Sequence, residues 1–265
     1  MKVTSTKIFV CVIIIILLLV LSNYNDSKRL QNQVENLENI DNPEKKSLAD
    51  LFPKDDKEFV YHDDWGSNNY KEVINKFKSN PLNIGDIVFL GNSITSEGKD
   101  WSKRFNYPNI KNRGIGGDVT EGVFARLDEI IFFKPKAVFL LIGINDLWNT
   151  DPETPSTDYI SKNIIKISKK INEESSSTKI YIQTILPVEK EIYKEKIIEI
   201  NNILKFNEKN HPYSIIDLYS IFADKNGIIK KDLTTDGIHL SEKGYDEWVK
   251  FVKPIINQLF NLNNK

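Results

Sequence analysis

Four short blocks of this chain carry residue types that can do chemistry. The first is Gly91-Asn92-Ser93-Ile94, directly after the apolar run Ile87–Leu90. The second is Gly114-Ile115-Gly116-Gly117-Asp118, the third Gly143-Ile144-Asn145-Asp146, and the fourth Asp236-Gly237-Ile238-His239. A serine hydroxyl is a weak nucleophile until a base takes its proton. A histidine near neutral pKa can be that base, and a carboxylate can fix its tautomer and steady the imidazolium. Asp236 and His239 are three positions apart, so one tight turn lets the carboxylate reach the ring. Backbone amides of a glycine turn, together with a side-chain amide such as that of Asn145, can donate to an oxyanion. These are the parts that acyl transfer needs.

Each block also has an ordinary reading. Ser93 could cap a helix, Asp236-Gly237 could be a plain turn, and Asn145-Asp146 could be a helix N-cap. The glycines at 114–117 could cradle a phosphate. However, Gly-x-Gly-x-x-Gly fails at Val119, and Gly-x-x-x-x-Gly-Lys-Ser/Thr does not occur. Of the three histidines, His62 lies in a polar stretch and His211 precedes Pro212 in a connecting segment. Both read as structural or surface residues. The three are too far apart for metal-ligand spacing, so no metal and no cofactor are expected.

The elements that must position these blocks alternate. Short apolar runs end at Leu90, Ile142 and Leu186, and shorter strands are predicted at Asn109–Arg113 and Ser214–Asp217. Between them lie amphipathic stretches. One carries Tyr70, Val73, Ile74 and Phe77 and stops before Pro81. Others span Val119–Ile131, Tyr159–Ile171 and Tyr193–Asn207, and the last carries Tyr245, Trp248, Val252, Ile256 and Phe260. Five alternations predict a five-stranded parallel sheet with helices on both faces and right-handed crossovers. A parallel sheet puts all its strand carboxyl ends on one rim, where open α/β sheets place their ligands. Ser93, Gly117, Asn145, Asp236 and His239 all fall on that rim.

The chain has 265 residues, 36 Lys+Arg against 37 Asp+Glu, and a formal net charge of −1. That balance argues against a nucleic-acid surface as a partner. The 40% hydrophobic content is enough for a sizeable core. The only cysteine, Cys11, excludes an intrachain disulfide. It sits in an unbroken apolar run, Ile8 to Leu21, flanked by Lys2 and Lys7. As a helix this run spans ~21 Å, short of a ~30 Å hydrocarbon core, which suits a signal peptide or a signal-anchor. Residues 1–22 are therefore assigned to that segment, 23–60 to a polar tether, and 61–265 to one globular domain. Either targeting mode places the domain outside the cytoplasm. It is membrane-anchored if the segment stays and secreted if it is cleaved.

Together and in this order, Gly91-Asn92-Ser93-Ile94, Gly116-Gly117-Asp118, Gly143-Ile144-Asn145-Asp146 and Asp236-Gly237-Ile238-His239 resemble the four blocks of the SGNH (GDSL-type) hydrolases. The resemblance covers about Tyr61 to the C-terminus. It implies a three-layer α/β/α sandwich and metal-free ester hydrolysis. It also implies Ser93 as nucleophile, His239 as base and Asp236 as its orienting carboxylate. The Ser93 and Gly117 amides with the Asn145 side chain would form the oxyanion hole. The first block usually reads Gly-Asp-Ser, so Asn92 departs from it. The nearest subfamilies resembled are the platelet-activating-factor acetylhydrolase-like and carbohydrate acetylesterase members, which implies a short acyl group. Asn92, Leu147, Trp148 and Pro187 are candidate pocket residues from their places next to strand ends. Trp148 is either a sugar platform or a packing residue. A tethered carbohydrate-binding protein that kept the fold without turnover is the alternative, with a flavodoxin-like nucleotide binder behind it.

Overall fold

The computed structural model describes residues 47–54, 56–148 and 155–261. From Leu48 onward the chain forms one compact unit. The apolar run 8–21 lies outside the described residues. Among the described residues, no helix is long and apolar enough to cross a membrane.

The sheet has five strands: β1 (Ile87–Gly91), β2 (Ile110–Gly114), β3 (Ala137–Leu141), β4 (Lys179–Gln183) and β5 (Ser214–Ile216). All pairings are parallel, in the order β2-β1-β3-β4-β5. Among the described residues, ten α-helices connect and flank the strands: α1 (Asp64–Ser79), α2 (Ser93–Ser96), α3 (Trp101–Phe105), α4 (Thr120–Ala125), α5 (Leu127–Phe133), α6 (Ile144–Trp148), α7 (Thr157–Glu174), α8 (Lys194–Asn207), α9 (Leu218–Phe222) and α10 (Glu242–Asn261). β1 and β3 are buried at every position, which their unbroken apolar sequence requires. The chain leaves β1 for β2 on one side and reaches β3 on the other. The strand order therefore reverses between β1 and β3, and a crevice opens there at the carboxyl ends.

Aromatic packing fixes one face of the sheet. Phe89 and Phe139 are register partners and their rings stack at 4.9 Å. Phe139 stacks on its own partner Tyr181 at 4.8 Å. Trp101 of α3 covers Phe89 at 4.3 Å, and Trp248 of α10 meets Trp101 edge-on at 4.9 Å. Both tryptophans are fully buried, and each indole N–H finds an acceptor: Thr95 O for Trp101, Gln183 Oε1 for Trp248. The cluster thereby ties α3 and α10 to the turn after β1.

Three elements differ from the sequence expectation. The single helix expected over 119–131 is two, α4 and α5, broken at Arg126, whose backbone leaves helical geometry. Its guanidinium turns inward and bonds the carbonyls of Gly91 and Arg113 and the carboxylate of Asp118. β4 stops at Gln183 rather than Leu186. Ile185 is satisfied by the Asn201 side chain, which accepts from its amide at 2.8 Å and donates to its carbonyl at 2.9 Å, in place of a neighbouring strand. Finally, the packed unit starts before residue 61. Leu51, Phe52 and Phe59, in the stretch read as tether, are buried in the core. Isolated apolar residues in a polar stretch carry no periodicity, so their docking is invisible locally.

Candidate active site

Ser93 opens α2, two residues past the end of β1 and directly after its Asn92 cap. This turn is tight. A side chain on Gly91 would collide with the Leu141 carbonyl oxygen, and one on Gly114 with the Ser96 amide. The carbonyls of α2 are held from three directions. Tyr245 Oη donates to Ile94 O at 2.8 Å and Trp101 to Thr95 O, while Asn112 Nδ2 donates to Thr95 O, Ser96 O and Lys99 O. Asn92 Oδ1 accepts from the Ile94 amide at 3.1 Å, so it supplies the cap acceptor an aspartate would. Its Nδ2 is buried and finds no partner in the protein.

His239 reaches this turn from a loop closed on itself. Thr234 Oγ1 donates to the His239 carbonyl, Gly237 N donates to Thr234 Oγ1, and Gly237 sits at φ +87°. His239 Nε2 lies 2.9 Å from Ser93 Oγ, and Nδ1 lies 2.7 Å from Asp236 Oδ2. The other Asp236 oxygen accepts from the amides of Ile238 and His239 at 2.9 and 2.7 Å. Partial burial pushes the Asp236 carboxyl up. The hydrogen bonds from the His239 ring and the two amides outweigh this and leave it below its ordinary value. An ionised carboxylate there makes Nδ1 the protonated nitrogen, which leaves Nε2 free to accept the serine proton.

The opposite wall is built on buried charge. Gly117, at φ +79°, ends the turn after β2, and a Cβ there would sit 2.9 Å from Gly66 Cα, at the start of α1. Asp118, fully buried, accepts from Arg126 at 3.0 and 2.8 Å and from the Val119 amide at 3.0 Å. Its Oδ1 lies 3.3 Å from His62 Nε2. The Asp118 carbonyl accepts from Asn145 Nδ2 at 2.9 Å. A carbonyl can only accept, so this bond fixes which way the Asn145 amide points. The second N–H of Nδ2 remains for another acceptor. Asp146 behind it is buried, and among the described residues no cation pairs with it. Burial raises its pKa to about 6, against hydrogen bonds from Thr120 Oγ1 and the Thr120 amide.

Between the two walls lies a cleft of about 500 Å³ that contains Ser93, Gly117, Asn145 and His239. Of the remaining candidates from sequence, only Trp148 lines it. Asn92 is the buried cap beneath Ser93. Leu147 and Pro187 are buried in the interior, because nearness to a strand end says nothing of which way a side chain faces. Trp148 stacks on Tyr193 at 4.8 Å, and the Lys190 ammonium lies 4.2 Å from its ring centre. The ring is thus packed against Tyr193 and approached by a cation while it still lines the cleft. Tyr61, Asp63, Trp65, Glu97, Ile144 and Ile238 complete the lining and were not singled out from sequence. Among the described residues, no group of three or more His, Cys, Asp or Glu could hold a metal ion.

A serine just past a strand end is bonded to a histidine–aspartate pair and faces a glycine turn and an asparagine amide, on a flavodoxin-like α/β/α sandwich; these are the parts that acyl transfer needs. The model of the GDSL-like lipase/acylhydrolase family matches residues 89–247, and the chain belongs to that family, whose members hydrolyse esters. Platelet-activating factor acetylhydrolase IB subunit alpha2 of Rattus norvegicus is 27% identical over 74% of this chain and 85% of its own. The alpha1 subunit of Homo sapiens is 25% identical over 68% of this chain and 78% of its own. A GDSL-like lipase structure from Bacteroides thetaiotaomicron, 23% identical, superimposes with TM-score 0.62 over 72% of this chain and 98% of that one, which shows the shared fold.

Proposed function

We propose that this chain is a serine-dependent esterase that removes an acetyl or other short acyl group through an acyl-enzyme. The observation that carries the proposal is the unbroken relay Ser93 Oγ–His239 Nε2–Nδ1–Asp236 Oδ2 at 2.9 and 2.7 Å, open to the cleft. Ser93 Oγ attacks the ester carbonyl carbon as its proton passes to Nε2. The developing oxyanion is met by the Ser93 and Gly117 amides and the second N–H of Asn145. As the tetrahedral intermediate collapses, the imidazolium returns the proton to the leaving alcohol oxygen. Water then repeats the sequence on the acyl-Ser93 ester and releases the carboxylate.

The short acyl group is supported by the acetylhydrolase relatives. The apolar run 8–21 supports work outside the cytoplasm, anchored or released. Cell fractionation of the full chain, with the mass of its mature N-terminus, tests that placement. For the chemistry, the test is hydrolysis of p-nitrophenyl esters from acetyl to octanoyl. The expected result is a kcat/KM that is highest for acetyl and falls with chain length. Ser93→Ala should lose activity at unchanged Tm. Full activity in folded Ser93→Ala would refute the proposal.

A further inference from the structure

The cleft has a second half that the relay and the oxyanion donors do not use. Residues 61–65, at the entry to α1, supply Tyr61, Asp63 and Trp65, and Glu97 closes α2 beyond Ser93. Trp65 is 63% exposed, a large apolar ring left in solvent at the mouth of the reaction site. Its six-membered ring lies against Gly116 and Gly117, where a Cβ on either glycine would meet it at 2.9 to 3.1 Å. The platform is therefore attached to the glycine turn itself. Asp63 caps α1 with one oxygen, accepting from the Gly66 amide at 2.6 Å. Glu97 Oε1 lies 3.7 Å from His239 Nε2 on the solvent side, with half of its side chain exposed. Among the described residues that line the cleft there is no lysine or arginine. Two carboxylates and two aromatic rings around one opening attract a cation, by Coulomb attraction and through the ring quadrupoles. They repel an anionic group.

We infer that the cleft selects esters whose alcohol carries a positive charge, a quaternary ammonium or a protonated amine. The cationic end would sit between Trp65, Tyr61, Asp63 and Glu97 while the acyl carbonyl meets Ser93. This rests on the esterase reading for its chemistry but not for its binding site. Trp148 already has the Lys190 ammonium 4.2 Å from its ring centre and stacks on Tyr193. That leaves Trp65 and Tyr61 as the rings for a ligand.

The test compares two esters of equal shape, acetylcholine and its uncharged carbon isostere 3,3-dimethylbutyl acetate. The expected kcat/KM ratio favours acetylcholine by about tenfold or more at low salt and shrinks as salt is added. Asp63→Asn keeps the helix cap, and Glu97→Gln keeps the side chain's size. Each should reduce the ratio, and the double variant should bring it within about twofold of one. Taking a ratio of two esters cancels any effect on the common acyl chemistry. A ratio of one or below in the wild-type chain, with both esters hydrolysed, overturns the inference and leaves the esterase reading standing. Choline titrated into Ser93→Ala, followed by tryptophan fluorescence with Trp65→Phe beside it, gives a readout without turnover. Saturable quenching that Trp65→Phe removes supports the cation site even if no ester is cleaved, and its absence overturns it.

Discussion

The two walls of the cleft use the same residue type in opposite ways. On the His239 side, Asp236 has half of its side chain exposed and is held ionised by the ring and two backbone amides of its own loop. On the Gly117 side, Asp118 and Asp146 have no exposure. One is neutralised by Arg126 and the other is raised to about 6 by burial, against hydrogen bonds from Thr120. The difference matches what the proposed mechanism asks of each wall. An oxyanion site works when its donors are already aimed and cannot reorganise, which favours a dry, cross-linked base. A base that gives and takes protons needs contact with substrate and water, and a short loop with local bonds suffices to hold it.

The contrast predicts that the exposed wall carries activity and the buried wall carries stability as well. Asp236→Asn should cost the most activity, about 10⁴-fold in kcat, because the amide favours the wrong imidazole tautomer. Its Tm should move little, and a large Tm loss would show that this loop is also structural. Asn145→Ala should lower kcat by about 10²–10³-fold through the missing oxyanion donor, with KM changing less. Arg126→Ala should act mainly on folding. It leaves Asp118 buried without its cation and strips donors from the Gly91 and Arg113 carbonyls, so urea unfolding should show a loss of about 3–5 kcal/mol. An Arg126→Ala chain of normal stability would erase the contrast.

The smallest effect is a pH slope. Asp146 binds its proton more tightly folded than unfolded. Its contribution is therefore fully present below about pH 4 and is lost as pH rises through about 6, on the order of 1–3 kcal/mol. Tm measured from pH 4 to 7 should carry that falling component, and Asp146→Asn should remove it. An identical slope in the variant would show that Asp146 is not the source.

How much of this was legible in the sequence follows the same division. The His239 loop and the Ser93 turn are local devices, so three- and four-residue blocks reveal them. The unbroken apolar runs of β1 and β3 announce a buried parallel sheet, and the strand order places the blocks on one rim. The Gly117 wall is held by distant pairs instead: Asp118 with His62, Gly117 with Gly66, and Asn145 with the Asp118 carbonyl. No local pattern marks such pairs. His62 stands in a polar stretch and reads as a structural or surface residue; its side chain is buried at 1% exposure against Asp118, with its ring packed on Phe59 and Tyr70. The one hint was aromatic, because Phe59, Tyr61 and Trp65 interrupt an otherwise polar stretch. Leu147 and Pro187 failed for the converse reason. They adjoin strand ends in sequence, but their side chains face the interior.

The most direct test of the account is whether Ser93 is activated by this relay. The full chain would be treated with a fluorophosphonate probe and digested, with Ser93→Ala and His239→Ala treated in parallel at matched folding. The account predicts a single phosphonylated serine, Ser93, with label abolished in Ser93→Ala and nearly abolished in His239→Ala. A folded wild-type chain that takes no label at Ser93, or a His239→Ala chain that labels as fast as wild type, would contradict it.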